Sequence, residues 1–444
     1  MLEQYQQARL SRDKRFDGRF VVAVLTTGIF CRPICPARLP KEDNVRYYPL
    51  PEQAIQAGFR PCLRCRPDAA PQSYAWLGNQ TTVQRALRLL RNQPEQTLSD
   101  LTIRLGISER YLRSLFQRYV GLSPQAYQIN QRLLLAKQLL QQTALSIDAI
   151  ALACGFSAAR GLQQQFKRRF ALTPSQCRTE RTVPADAVHL FISCSAGYHW
   201  PFVRAFLAKR AVSAVETVTD HSYQRVVREG DDAVTLTATY DPQKNGFQLM
   251  LMLRDATTLP AMLANVRRVL DCDAPSDIIR EALQHAGLKD MALQDVVRIP
   301  GVWSVFEAGC RAILGQQVSL TAAVKLLNQL VNLCMPCSGF PTPQQVLACD
   351  IQQLRMPEAR KRALRDFASL AASASDEQIM ATMCEIKGIG PWTRQYVMLR
   401  GCSEPDIWLE NDLVIKKQVK HYGVNAANCS PWRSYLTLQL WSLA

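Results

Sequence analysis

No apolar run in this chain reaches the roughly 20 residues that a helix needs to cross a bilayer. The opening MLEQYQQARLSRDKRF also lacks the apolar stretch of an export signal. A protein of the cytoplasm, with no membrane partner, is the expectation. The 15 cysteines are odd in number and, without an export signal, argue for reduced thiols over a disulfide framework. Disorder is excluded by 48% hydrophobic and only 20% charged residues. Acidic residues are short in one place: residues 1–180 carry 12 Asp+Glu against 26 Lys+Arg, an excess of 14 positive charges, whereas the remainder carries 25 against 27. Nearly all of the net +16 therefore lies in the first 180 residues and points to a polyanion, nucleic acid in particular.

With 444 residues there is room for three or four domains. Residues 1–75 hold short β-like runs such as RFVVAVLTTG and four closely spaced cysteines, and end in the linker RPDAAPQS (66–73). Residues 80–180 read as helical and contain a repeat offset by 50 residues, FQRYVGLSP from Phe116 and FKRRFALTP from Phe166. Leu98, Leu101 and Leu105, the turn GIS, then Leu112, Leu115, Phe116 and Tyr119 describe one helix-turn-helix. Ile147, Ile150, Ala151 and Cys154, the turn GFS, then Leu162, Phe166 and Phe170 describe a second. Ser123-Pro124 and Thr173-Pro174 are helix starts, and a long helix over 124–142 joins the units. Arg110, Arg113 and Arg118, and then Arg160, Gln163, Gln164, Lys167 and Arg168, stand off the apolar faces of the second helices. A solvated face is the ordinary explanation for such residues; a duplicated unit within the basic region favours DNA. After RTERTVPAD (178–186), residues 185–270 alternate strand-like runs (VHLFIS, AVTLTATY, FQLMLML) with helices near 200–209 and 258–270, an α+β pattern. Residues 271–444 read as helical. The chain is thus multidomain and mainly α.

Cys31, Cys35, Cys62 and Cys65 form C-x3-C and C-x2-C pairs, the spacing of a four-thiolate zinc site. Such sites are usually structural. Here Arg32, Arg38, Arg60, Arg64 and Arg66 surround electron-rich sulfurs with a surface suited to phosphates. FDGRFVVAVLTTGIFCRPICPAR and AGFRPCLRCRPD resemble the N-terminal domain of the Ada adaptive-response family, and the two helix-turn-helix units resemble the AraC-type domain that follows it there. The resemblance spans about residues 10–178. It implies that Cys31 accepts a methyl group from a DNA methylphosphotriester, that Cys35, Cys62 and Cys65 complete the zinc site, and that Thr27, Arg38, Arg60 and Arg64 contact the DNA backbone. It also implies a transcriptional activator with promoter DNA and RNA polymerase as partners. The Pro-Cys-His-Arg motif of that family's usual C-terminal methyltransferase is absent.

IKGIGPWTRQY reads as a helix, a glycine hairpin (Gly388, Gly390) and a second helix whose free N–H groups suit a phosphate. A lone G-x-G is weak, Asp412 in LENDLVIKKQV reads as a helix N-cap, and Trp392, Tyr396 and Trp441 are ordinary core candidates. In order with FEAGCRAILGQQVSLTAAVKL and PWRSYLTLQLW, however, these segments resemble the helix-hairpin-helix 3-methyladenine DNA glycosylases of the AlkA type, over about residues 185–444. The resemblance implies a TBP-like α+β domain, a catalytic Asp412, a base pocket of Trp392, Tyr396 and Trp441, and a duplex wedge at Gln317. Strand-nicking relatives carry lysine at the Trp392 position, so excision without lyase activity is expected. Lys387 and Asn411 depart from the common pattern at the hairpin and beside the catalytic aspartate. Cys334 and Cys337 (CMPC) have no second pair at zinc spacing and read as a loop. The rival reading is a regulator with structural zinc whose second half only binds DNA.

Overall fold

Alternating apolar residues in the first domain make a sheet with two packed faces. In a computed structural model, β1 (Val21–Val24) pairs antiparallel with β2 (Ile29–Cys31) and β3 (Val45–Tyr48), and β2 pairs parallel with β4 (Arg60–Pro61), in the order β3-β1-β2-β4. Phe20, Val22 and Val45 face Ala8 of the helix Leu2–Ser11; Val21, Ala23 and Phe30 pack with Ala54 on the other side. The structure describes residues 2–13, 16–68, 79–92, 96–179, 188–229, 232–253, 255–289, 293, 296–334 and 339–444. Most of both linkers, and Cys337, lie outside them.

The described residues fall into two compact units, one ending within the helix Pro124–Gln142, at Ala126, and the other running from Tyr127 to Ala444. The first unit holds the four-stranded sheet and the first helix-turn-helix, Leu98–Leu105 with Glu109–Tyr119. Thr97 and Ser108 cap those helices by accepting from the Asp100 and Tyr111 N–H groups. Between them Gly106 takes φ +66°, a left-handed turn that a side chain would strain. The second unit begins with the second helix-turn-helix, Ile147–Ala153 and Ala159–Phe170, whose Ile150, Ala151, Leu162 and Phe166 are fully buried. Thr173 closes a capping box with Gln176, so both expected Pro-initiated helices start where the sequence places them.

An all-antiparallel sheet follows, in the order β5-β9-β8-β7-β6: β5 is Val188–Ser193, β6 Glu216–Val218, β7 Ser222–Glu229, β8 Asp232–Asp241 and β9 Gly246–Leu251. Leu190 faces Leu249 and Leu236 faces Leu251 in register, and Trp200, Val203, Leu259 and Val266 from two helices share their core. That core also takes in Leu139, Ile150 and Phe166, so the second helix-turn-helix is built onto the sheet. Gln138 donates from Nε2 to the Phe191 carbonyl (2.9 Å) and Gln142 Oε1 accepts from the Phe191 N–H (2.8 Å). These two side chains satisfy the Phe191 backbone groups of β5.

The helices beyond residue 271 surround Val305–Leu314, every residue of which is buried. A Cβ on Gly309 would meet the Phe367 ring at 2.2 Å, and only glycine allows that approach. Four buried charges tie this helix to β6 and β7. Arg225 and Arg311 each pair with both Glu216 and Glu307, and Arg311 reaches Glu216 at 2.6 Å and Glu307 at 2.7 Å.

Candidate functional site

The four cysteine sulfurs lie within 4.8 Å of one another. Cys31 ends β2, Cys62 follows β4 and donates its N–H to the Phe30 carbonyl (3.0 Å), so the parallel β2–β4 pairing brings the two Cys pairs together. Cys35 and Cys65 are buried; Cys31 and Cys62 reach the surface. Within the metal-free cluster the hydrogen bond between Cys31 and Cys35, with a second from Cys65, lowers the Cys35 thiol and raises the Cys31 thiol. Four sulfurs this close repel as thiolates, and a set of four Cys sulfurs is the donor set that would hold a zinc ion. The Arg32 N–H also donates to Cys65 Sγ (3.3 Å), while its buried guanidinium pairs with Asp17 and donates to the Cys65 carbonyl. Arg32 is therefore a strut of the site. Thr27, Arg38, Arg60 and Arg64 are exposed.

In the helix-turn-helix units Arg110, Arg113, Arg160, Lys167 and Arg168 are exposed on the second helices. Arg113 spends part of its charge on Glu109, one turn back at 3.1 Å.

In the second unit, the hairpin and the chain end converge on one carboxylate. Asp412 caps the helix Leu413–Tyr422, and its Oδ1 accepts from the Val414 (3.0 Å) and Ile415 (3.1 Å) N–H groups. Trp441 Nε1 donates to the same oxygen (3.2 Å), whereas Trp392 Nε1 donates to Oδ2 (3.3 Å). Oδ1 is thereby an anchor, and Oδ2, with one donor, keeps capacity for a further partner. Trp392 opens the helix Pro391–Arg400 and stacks on Tyr396, centroids 5.5 Å apart and planes 28° from parallel. Gly388 takes φ +96°, which demands glycine, but Gly390 caps the same helix in extended backbone (φ −98°, ψ 179°) that any residue can adopt. Asn411 is exposed and accepts from Lys416 Nζ (3.2 Å); Lys387 is exposed. Gln317 is exposed, with φ +54°, on the turn between Val305–Leu314 and Leu320–Leu333.

Sequence reasoning misses three groups near the Trp392–Tyr396 stack. Arg400, fully buried, donates to Tyr396 Oη (3.3 Å) and lies over the Phe206 ring at 4.7 Å. Arg210 covers that ring at 3.6 Å, and burial, then the Arg400 charge, brings it down to about 10. An arginine inside a helical pattern carries no local signal of burial; only the fold gives it aromatic partners. Gln316, next to Gln317, is the third.

Three family profiles match in order: the metal binding domain of Ada over residues 4–68, a helix-turn-helix domain over 101–180, and the AlkA N-terminal domain over 190–304. A Mycobacterium tuberculosis protein named "Probable bifunctional transcriptional activator/DNA repair enzyme AlkA" is 34% identical over 99% of this chain and 96% of its own length. DNA-3-methyladenine glycosylase 2 of Escherichia coli is 35% identical over 55% of this chain and 93% of its own. The bifunctional transcriptional activator/DNA repair enzyme Ada of the same organism is 36% identical over 40% of this chain and 49% of its own.

Proposed function

The chain belongs to the family of Ada–AlkA fusions, bifunctional transcriptional activators and DNA repair enzymes, and from that premise we propose how its residues divide the work. It is a DNA alkylation-damage response protein. It excises alkylated purines by hydrolysing the N-glycosidic bond, and it accepts methyl groups from DNA methylphosphotriesters on a zinc-bound cysteine to become an activator. Residues 1–75 carry methyl acceptance, 80–180 promoter binding, and 185–270 with 271–444 excision. RNA polymerase is the partner of the activated form and the cytoplasm its location; no helix among the described residues is long and apolar enough to cross a membrane.

Asp412 with its indole donors carries the excision reading. An alkylated purine is cationic, so it leaves readily and is drawn to the faces of Trp392 and Tyr396 once flipped from the stack. As the glycosidic bond breaks, positive charge grows on the sugar, and Asp412 Oδ2 is the oxygen left to stabilise it or to accept a proton from water. The Pro391–Arg400 helix holds no lysine, and the Trp392 indole cannot form a Schiff base, which supports excision without strand cleavage.

In the first unit, Cys31 and Cys62 are the half-buried members of the set, and the family resemblance assigns the reaction to Cys31. Zinc supplies the charge that keeps these thiols deprotonated. The Cys31 sulfur attacks the methyl carbon, an S–C bond forms as the C–O bond breaks, and the phosphodiester leaves as an anion. The resulting thioether removes one negative charge near Arg38, Arg60 and Arg64, which strengthens attraction to DNA phosphates.

Release of free 3-methyladenine and 7-methylguanine from methylated duplex DNA tests the excision reading, wild type beside Asp412→Asn. Release that collapses in the variant supports it. No release from folded, zinc-loaded wild type leaves the DNA-binding regulator.

A further inference from the structure

The turn that presents Gln317 is fastened from outside by its neighbour. Gln316 donates from Nε2 to the Gly388 carbonyl over 2.9 Å and to Thr393 Oγ1 over 3.1 Å. Both acceptors belong to the glycine hairpin. Gly388 sits at its left-handed corner, and Thr393, 2% exposed, lies in the first turn of Pro391–Arg400, directly after Trp392. On the far side of Gln317, Ser319 caps the helix Leu320–Leu333 by accepting from the Ala322 N–H.

Gln317 itself takes φ +54°, a left-handed conformation that strains a residue with a side chain. Such strain persists where the surroundings over-determine it. A capped helix on one side and the Gln316 amide on the other do so here, and they leave Gln317, Val318 and Leu320 exposed together.

We propose that Gln316 is a positioning residue for base flipping, an amide tie that fixes the Gln317 turn against the hairpin and so at a set distance from the Trp392–Asp412 pocket. The proposal rests on the glycosylase reading. A wedge already held in place does not have to be ordered when the duplex is bound, so less binding energy is lost at the moment the base leaves the stack. The tie also joins two tasks: the hairpin that grips the backbone and the turn that enters the duplex move as one piece.

The test uses the full chain and single-turnover excision of 7-methylguanine from two duplexes, one with the lesion paired to cytosine and one with it opposite an abasic site. The second substrate has no partner base to displace and needs little help in flipping. Loss of the two hydrogen bonds in Gln316→Ala is expected to slow excision from the paired duplex about 10-fold. The abasic-opposed substrate should change by less than about 3-fold. Gln316→Glu keeps the side-chain size but cannot donate to the Gly388 carbonyl, and should behave alike even where the alanine variant melts early. Equal losses on both substrates, or none on either, with wild type active, overturn the tie. Failure of wild type to release either base overturns the glycosylase reading on which it stands.

Discussion

Trp441, the fourth-last residue of the sequence, donates its indole N–H to the Asp412 oxygen that also caps a helix. That oxygen has three donors and the other oxygen has one, from Trp392. The two indoles therefore have unequal tasks. Trp441→Phe leaves Asp412 Oδ1 with its two backbone donors, and excision should slow only about 3-fold. Trp392→Phe strips Oδ2 of the one indole donor it has among the described residues, at the oxygen proposed to stabilise the developing charge, and the loss should be nearer 30-fold. Turnover of a lesion duplex, with circular dichroism to show intact folding, measures both. A larger loss in Trp441→Phe would reverse the assignment of the two oxygens.

This asymmetry could not be read from the sequence, although its members could. Asp412 is legible as an N-cap, and Trp392 with Tyr396 as an i, i+4 pair, because helix geometry is local. Which oxygen each indole meets depends on partners 20 and 29 residues away. The strands divide the same way. VHLFIS alternates cleanly and appears as β5, but Ser222–Glu229 passes unread because its inward face carries Tyr223, Arg225 and Val227. Arg225 is buried only because Glu216 and Glu307, 9 and 82 residues away, meet it there. Gln316 reads as one more surface glutamine until the hairpin is folded beside it.

At the zinc site, Cys31 and Cys62 are less buried than Cys35 and Cys65, and peptide mapping after reaction with methylphosphotriester DNA should find the methyl on Cys31. Cys31→Ala should abolish transfer; a methyl on Cys62 would sink the assignment. Removal of zinc by a chelator should unfold the first domain, because its two small apolar clusters are weak beside the roughly 10–16 kcal/mol that a structural zinc contributes. Loss of far-ultraviolet ellipticity on chelation, restored by zinc, is the expected result.

The tandem helix-turn-helix region reads as one domain in sequence, yet its second half shares a core with the sheet that follows. A fragment starting at residue 185 loses Gln138 and Gln142 from the β5 edge and uncovers apolar surface around Val188 and Ile192. It should melt about 5 °C below a fragment of residues 127–444, compared by thermal denaturation. Equal melting temperatures would show that the shared core contributes no stability to the glycosylase half.

Two buried carboxyls give the second unit opposing pH dependences. Burial would raise Glu216, but the Arg311 and Arg225 guanidiniums outweigh it and bring it from 4.5 down to about 2. Its stabilisation is present above 4.5 and is lost as pH falls toward 2. Asp271 has no such partner pair: burial pushes it from 3.8 up to about 6, against the Ile299 N–H and the Arg298 charge. Here the sign reverses. The native state costs nothing extra below 3.8, where the carboxyl is protonated folded or unfolded, and the cost grows between 3.8 and 6 to a full value above it. That value is at most about 3 kcal/mol from the size of the shift. In the wild type the Ile299 N–H donates to Asp271 Oδ2 and the Tyr435 hydroxyl to Oδ1. Asp271→Asn removes the charge while an amide oxygen in the Oδ2 place accepts from Ile299 and the amide NH2 donates to the Tyr435 oxygen, and asparagine tolerates the φ of +50° found there. The variant should therefore melt above wild type at about pH 8 and close to it at about pH 4. Equal destabilisation at both pH values would mean that Asp271 is held as a useful charge, paired with Arg298, and that its burial is not a cost.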